Sequence, residues 1–301
     1  MTQTLPTAVL GRTGLEVTRL GYGTALSKLP DHEQWGRLLN AVLDSGINFI
    51  DTANDYGVTG ITRSASGPAE EQIGRHISAR RSDYRLATKC GCGPDGHIWT
   101  RENAFRGLHE SLERLKTDYV DIMQYHNPTV EECEAGDLVA VLQDMKAQGK
   151  VRWLGISTTL PHLPTYLDWG VFDTFQIPYS ALERDHEDWI AKSAEAGTGI
   201  IIRGGVAQGE REVGSGRADR WQKFEEAGLD ELMEEGETRT TFVLRYTLTH
   251  PYSHTNIVGT SNLDHLQENI RGILRGPLSE DVYVESKRRL DAAGETPSPV
   301  E

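Results

Sequence analysis

Four residues in three stretches carry side chains suited to moving a proton onto a carbonyl oxygen. The stretch GINFIDTANDYG, Gly46 to Gly57, is apolar up to Asp51 and sets Tyr56 five residues further on. YRLATKC runs to Lys89, and YVDIMQYHNP runs to His126, followed by Asn127 and Pro128. A charge at the end of an apolar run is costly unless it is paired or put to use. Each group also has a plain reading: Asp51 as a helix cap or turn residue, Lys89 in a structural ion pair, His126 as a hydrogen-bonded structural imidazole. Together they suggest more. A phenol of pKa about 10 is a poor acid near neutrality unless tuned, and a neighbouring ammonium stabilises its anion. A carboxylate would fix the ammonium, and an imidazole would orient the carbonyl oxygen.

Such a group works only if the ends of three runs meet. Short apolar runs alternate with helical patterns along the chain. Strands are expected at Arg19–Tyr22, Ile47–Thr52, Tyr84–Lys89, Tyr119–Gln124, Arg152–Ser157, Thr174–Pro178, Gly199–Ile202 and Thr255–Gly259. Helices are expected at Asp31–Asp44, Thr100–Leu115, Leu138–Ala147, Asp185–Ala196, Thr240–Leu248 and Leu263–Ile273, with an acidic surface helix over Glu225–Glu235. The nearly continuous apolar strands imply burial on both faces, hence parallel βαβ units. A (β/α)8 barrel and a doubly wound sheet both fit the count. In a barrel the strand ends open on one face, where active sites sit.

Three stretches break the alternation: Gly57–Pro68, Gly209–Arg220 and the polar tail Gly294–Glu301, read as frayed. The first is rooted at Tyr56. It reads as a lid offering Val58, Ile61 or Arg63 to a substrate, or else as a surface insertion.

These stretches, together with LGRTGLEVTRLGYGT and IVGTSNLDHLQENI, resemble the aldo-keto reductase family over nearly the whole chain. The resemblance implies one (β/α)8 barrel domain, 1–301, with the active site at the C-terminal face of the strands. It implies Asp51, Tyr56, Lys89 and His126 as catalytic groups and an extended NADP(H) or NAD(H), NADP(H) favoured. It places Gly23 and Thr24 beside the cofactor, and Ser157, Thr158 and Gln176 on its carboxamide, Thr158 standing where the family usually has Asn. Arg203 takes the place of an aromatic stacked on the nicotinamide; a guanidinium also stacks on flat rings, though Arg203 in an ion pair is the plain alternative. Gly259, Thr260, Ser261, His265 and Asn269 fall on the adenosine end, with Gly259 and His265 where many members carry Lys and Arg. Thr260, Ser261 and a helix N-terminus still offer hydroxyls and N–H groups, and Arg211 or Arg217 could supply the cation.

The formal net charge of −14 opposes nucleic acid and anionic membrane partners. No run approaches the ~20 apolar residues of a membrane span, and MTQTLPTAVLGRTG lacks a signal peptide's apolar stretch. The three cysteines, Cys90, Cys92 and Cys133, are odd in number and not spaced C-x-x-C, which suggests a reduced, cytoplasmic setting. His250 and His254 lack a supporting carboxylate cluster, so no metal is expected. Trp99 and Trp153 could line the substrate mouth or simply pack. The expected partner is a small carbonyl or alcohol, and the oligomeric state stays open. Two other readings remain: a dinucleotide-binding regulatory or scaffold subunit, and a metal-dependent barrel hydrolase.

Overall fold

The structure is a computed structural model that describes residues 4–26, 31–57, 67–93, 96–210 and 214–300. Eight strands close into a barrel: β1 (Leu20–Gly23), β2 (Phe49–Asp51), β3 (Arg85–Cys90), β4 (Val120–His126), β5 (Val151–Ser157), β6 (Thr174–Pro178), β7 (Gly199–Arg203) and β8 (Thr255–Val258). Neighbouring strands are parallel. The doubly wound alternative is excluded by the closing pair, in which Asn256, Ile257 and Val258 lie against Leu20, Gly21 and Tyr22.

Burial explains the continuous apolar runs. In β4 every residue from Val120 to Tyr125 is buried, because one face meets the barrel interior and the other meets helices. The interior cluster is Leu10, Val17, Phe49, Ala87, Ile122 and Ile201, with Trp153 packed against it. Leu10 and Val17 come from the segment around an antiparallel hairpin, Thr7–Val9 with Glu16–Thr18, that seals the N-terminal end of the barrel. Its approach is close: a Cβ on Gly11 would stand 2.3 Å from the Gly199 nitrogen. With that end plugged, the free end is the one where the strand C-termini gather.

The helices are α1 (His32–Asp44), α2 (Pro68–His76), α3 (Arg101–Leu115), α4 (Val130–Ala135), α5 (Leu138–Ala147), α6 (Leu163–Trp169), α7 (Glu187–Glu195), α8 (Ala218–Glu226), α9 (Arg239–Thr249), α10 (Leu263–Arg275) and α11 (Glu280–Ala292). Caps set several starts. Asp31 accepts from the Gln34 N–H in a full capping box, and Thr100 accepts from the Asn103 N–H.

Some expectations need correcting. Helix α2, which starts at Pro68, is absent from the expected helices: its buried face includes Glu70, Gln72 and Gly74, so no apolar period marks it. Glu70 lies there because Arg114 and Thr88 reach its carboxylate at 2.8 and 2.6 Å. The acidic helix expected over Glu225–Glu235 is split: α8 ends at Glu226 and a 3-10 turn follows at Leu229–Leu232. Helix α8 also takes in the end of the expected loop Gly209–Arg220. The tail is tied down rather than frayed: Glu295 accepts from the Arg184 N–H (2.8 Å) and from Lys223 (2.7 Å), and the Ser298 N–H donates to the Asp185 carbonyl (3.1 Å). Of the expected lid, Val58, Ile61 and Arg63 lie outside the described residues, as does Arg211.

Candidate active site

Three neighbouring strands deliver three of the four groups. Strand β2 ends in Asp51, β3 carries Lys89, and β4 ends in His126. The Lys89 ammonium donates to Asp51 Oδ2 at 2.5 Å and to the Thr52 carbonyl at 3.0 Å. Asp51 Oδ1 accepts from two amides, Gln124 Nε2 at 3.0 Å and Gln176 Nε2 at 2.7 Å. Asp51 is therefore no helix cap. Both ions are at most 1% exposed, and an ion pair this deep persists because its remaining lone pairs and protons are also satisfied.

Tyr56 comes from the turn after β2. Gly57 leaves it with φ of +96°, and the Ala69 N–H at the start of α2 donates to the Tyr56 carbonyl at 3.1 Å. This swings the phenol over Lys89, whose Nζ lies 4.7 Å from the ring centre. The phenol pKa nevertheless lies above its usual value. Burial drives it up, the Asp51 charge adds to this, and Lys89 opposes without prevailing. Lys89 itself is held above the ordinary lysine value: burial alone would lower it, but Asp51 and Tyr56 outweigh that.

The His126 ring meets the Tyr56 ring edge-on at 5.9 Å. Burial, and then the charges of Lys89, His97 and Arg203, push its pKa down to about 3, with Asp55 opposing. The imidazole is thus neutral throughout the physiological range. Its Nδ1 stands 3.6 Å from Asp55 Oδ1, too long for a hydrogen bond.

These groups open onto a cleft of about 810 Å³ along the strand ends, a size suited to a sizeable ligand. Asp51, Tyr56 and His126 line it, as do the expected Gly23, Ser157, Gln176, Arg203, Gly259, Thr260, Ser261, His265 and Asn269. Lys89 sits beneath Tyr56. Two expected residues do not reach it. The Thr24 hydroxyl is buried against Thr52 at 2.8 Å, and the Thr158 hydroxyl turns to the Thr159 carbonyl at 3.4 Å. An amide stands near by all the same: Asn127, in a left-handed turn at φ of +59°, lines the cleft and accepts from Ser157 Oγ at 3.1 Å. Sequence reasoning overlooked Asn127, Gln124 and Asp55; the Asn127-Pro128 turn directly after a strand end was the available signal.

Arg203 ends β7, and its Nε is buried without a hydrogen-bond partner. The nearby acid Glu183 is gripped instead by Arg220, at 2.6 and 3.0 Å. At the other end, a Cβ on Gly259 would stand 2.8 Å from the Gly23 carbonyl oxygen. A lysine at this position would force the two strand ends apart. His250 and His254 hold backbone groups, at the Tyr252 and Ile200 N–H. Trp99 packs near the site on His97 and Tyr125, while Trp153 belongs to the interior cluster.

A buried carboxylate–ammonium pair thus lies under a tyrosine at the strand ends of a closed parallel barrel, and comparison with known proteins gives that arrangement its class, an oxidoreductase of the aldo/keto reductase type. Residues 19–289 match the Aldo/keto reductase family, to which this chain belongs. Relatives include an uncharacterized oxidoreductase, YqkF of Bacillus subtilis, 29% identical over 90% of this chain and 92% of its own. L-galactose dehydrogenase of Arabidopsis thaliana is 27% identical over 88% and 86%. Among solved structures, the holo form of aldo-keto reductase AKR11C1 from Bacillus halodurans superposes with a TM-score of 0.82 at 26% identity, covering 95% of this chain and 96% of that one. No helix of the described residues is long and apolar enough to cross a membrane.

Proposed function

We propose that this protein exchanges a hydride between a nicotinamide cofactor and an aldehyde or ketone, with Tyr56 giving its proton to the carbonyl oxygen. The observation that carries the reading is Lys89, held between the Asp51 carboxylate and the Tyr56 ring beside a neutral imidazole. The raised pKa of Tyr56 keeps its proton in place at neutral pH. As that proton leaves, Lys89 stabilises the charge growing on the phenol oxygen, an interaction stronger in the transition state than before it. Neutral His126 can turn an N–H toward the carbonyl oxygen without competing as an acid. The bound cofactor supplies the hydride. Ser157, Asn127 and the free oxygen of Gln176 would hold its carboxamide, Arg203 would lie against its ring, and Thr260, Ser261 and Asn269 would hold its adenosine end. The unpartnered, buried Nε of Arg203 fits a group that completes it. Mixing the protein with NADH or NADPH and a panel of aldehydes, and following loss of the reduced-cofactor absorbance, tests the reading. Tight cofactor binding with no turnover on any carbonyl would favour the scaffold alternative.

The charges argue against the NADP(H) preference of the resemblance. Thr260, Ser261, Asn262, His265, Glu268 and Asn269 line one end of the cleft, and none is a lysine or arginine. The expected stand-in Arg217 spends its guanidinium on Asp219. Among the described residues Glu268 is the one formal charge there, which favours NAD(H). His265→Arg should then tighten NADPH by about 10-fold, the worth of one charge-assisted hydrogen bond, and leave NADH nearly unchanged. Equal tightening of both would mean that His265 lies away from the 2′ position.

The charge of Arg203 should repel the cationic oxidised ring more than the neutral reduced one. Arg203→Tyr is expected to tighten NAD⁺ relative to NADH in paired fluorescence titrations. An unchanged ratio would place the guanidinium off the ring.

A further inference from the structure

We propose that Cys92, His97 and His126 form a binding site for a thiophilic divalent cation, Zn²⁺, at the substrate end of the cleft. The short hairpin after β3, Cys92–Gly93 with Gly96–His97, pairs Cys92 directly with His97. Directly opposed residues of an antiparallel pair share one face, with their Cβ atoms close. The end of β4 adds His126, whose ring centre is 6.0 Å from that of His97. One ligand atom from each of the three lies within 4.8 Å of the other two. Tetrahedral zinc, with Zn–S of about 2.3 Å and Zn–N of about 2.0 Å, asks for ligand separations of roughly 3.3–3.8 Å. Rotamer adjustment of about an ångström closes the difference.

The surroundings suit the cation. Cys92 Sγ donates to Asp55 Oδ2 at 3.2 Å, and the other oxygen of Asp55 faces His126 Nδ1 at 3.6 Å. That carboxylate can relay the thiol proton to solvent as the thiolate forms, and once the proton has left it again carries its negative charge beside the site. His97 is braced by stacking on Trp99, with ring centres 5.2 Å apart. The hairpin is pinned by the Ile98 N–H on the Gly91 carbonyl at 2.8 Å. One thiolate and two imidazoles are a zinc-type donor set. The other thiols do not compete, because Cys90 and Cys133 are buried in the core, away from the His97 and His126 rings. Each cation bound releases the Cys92 proton to solvent. Bound zinc would occupy the His126 imidazole and inhibit carbonyl reduction, a consequence that rests on the reading of His126 above.

Cobalt(II) is the probe. Titrated into metal-free full-length protein without substrate, it should bind one per chain, with a thiolate charge-transfer band and the intense visible bands of tetrahedral cobalt. Cys92→Ser should abolish the charge-transfer band. His97→Ala should weaken binding at least about 10-fold. Circular dichroism confirms that both variants are folded. Zn²⁺ should inhibit carbonyl reduction by the wild type competitively with the carbonyl, reversibly by chelator, and should not inhibit Cys92→Ser. A charge-transfer band that survives Cys92→Ser, unaltered affinity in His97→Ala, or no stoichiometric binding by the wild type overturns the site. The expected cobalt spectrum in a protein that reduces no carbonyl would overturn the proposed function and leave the site standing.

Discussion

Tyr56→Phe is expected to lower turnover by about 100-fold or more, the usual contribution of a positioned acid, while the cofactor dissociation constant stays within roughly twofold. The substitution deletes one oxygen. The ring still covers Lys89, whose ammonium lies 4.7 Å from its centre, so the cation–π contact and the cleft wall are kept. What is lost is the proton and the place where negative charge collects as it leaves. Lys89 keeps Asp51 and the Thr52 carbonyl, so the variant should unfold at nearly the wild-type urea concentration. Because the lost interaction is specific to the transition state, kcat and kcat/KM should fall together. Stopped-flow turnover and cofactor fluorescence on the same preparation give both numbers. Turnover within a few-fold of wild type would mean that the proton comes from elsewhere, with His126 the next group to test.

The strands were legible because burial on both faces leaves a residue-by-residue trace. Thr174–Pro178 is found as expected, and each of the others shifts by one or two residues at one or both ends. Asp51, Lys89 and His126 were legible for the opposite reason: each is a polar group where an apolar run ends. The clamp on Asp51 left no such trace. Gln124 and Gln176 reach it across 73 and 125 residues of sequence, and nothing local marks a glutamine as turned inward. Gln176 was assigned to the cofactor, yet its amide nitrogen is committed to Asp51. The pairing of Cys92 with His97 left no such trace either, because both lie on a short hairpin beyond the barrel strand ends. Helix α2 escaped because its inward face carries Glu70, satisfied by Thr88 and Arg114, and Gln72, whose Oε1 pairs with His32 Nδ1.

That clamp makes Asp51→Asn far from conservative. Oδ2 of Asp51 faces an ammonium, and Oδ1 faces two amide N–H donors. Every group around the carboxylate donates. An asparagine must point its own NH₂ at one side or the other, setting donor against donor, and it leaves Lys89 buried without an anion. Breaking a buried pair from one side costs about 3–5 kcal/mol, and Asp51→Asn is expected to lose stability in that range by urea unfolding. Activity should fall with it, since an ammonium deprived of its counter-charge in a dry site gives up its proton more readily and then no longer stabilises the phenolate. Removing both charges separates the two effects. Asp51→Asn with Lys89→Met leaves no isolated ion, and neutral replacements of buried pairs are often tolerated. The double variant should therefore be more stable than Asp51→Asn alone, yet as inactive. If instead the two losses simply add, the pair is uncoupled, and Lys89 draws its stability from the Thr52 carbonyl and the Tyr56 ring rather than from Asp51.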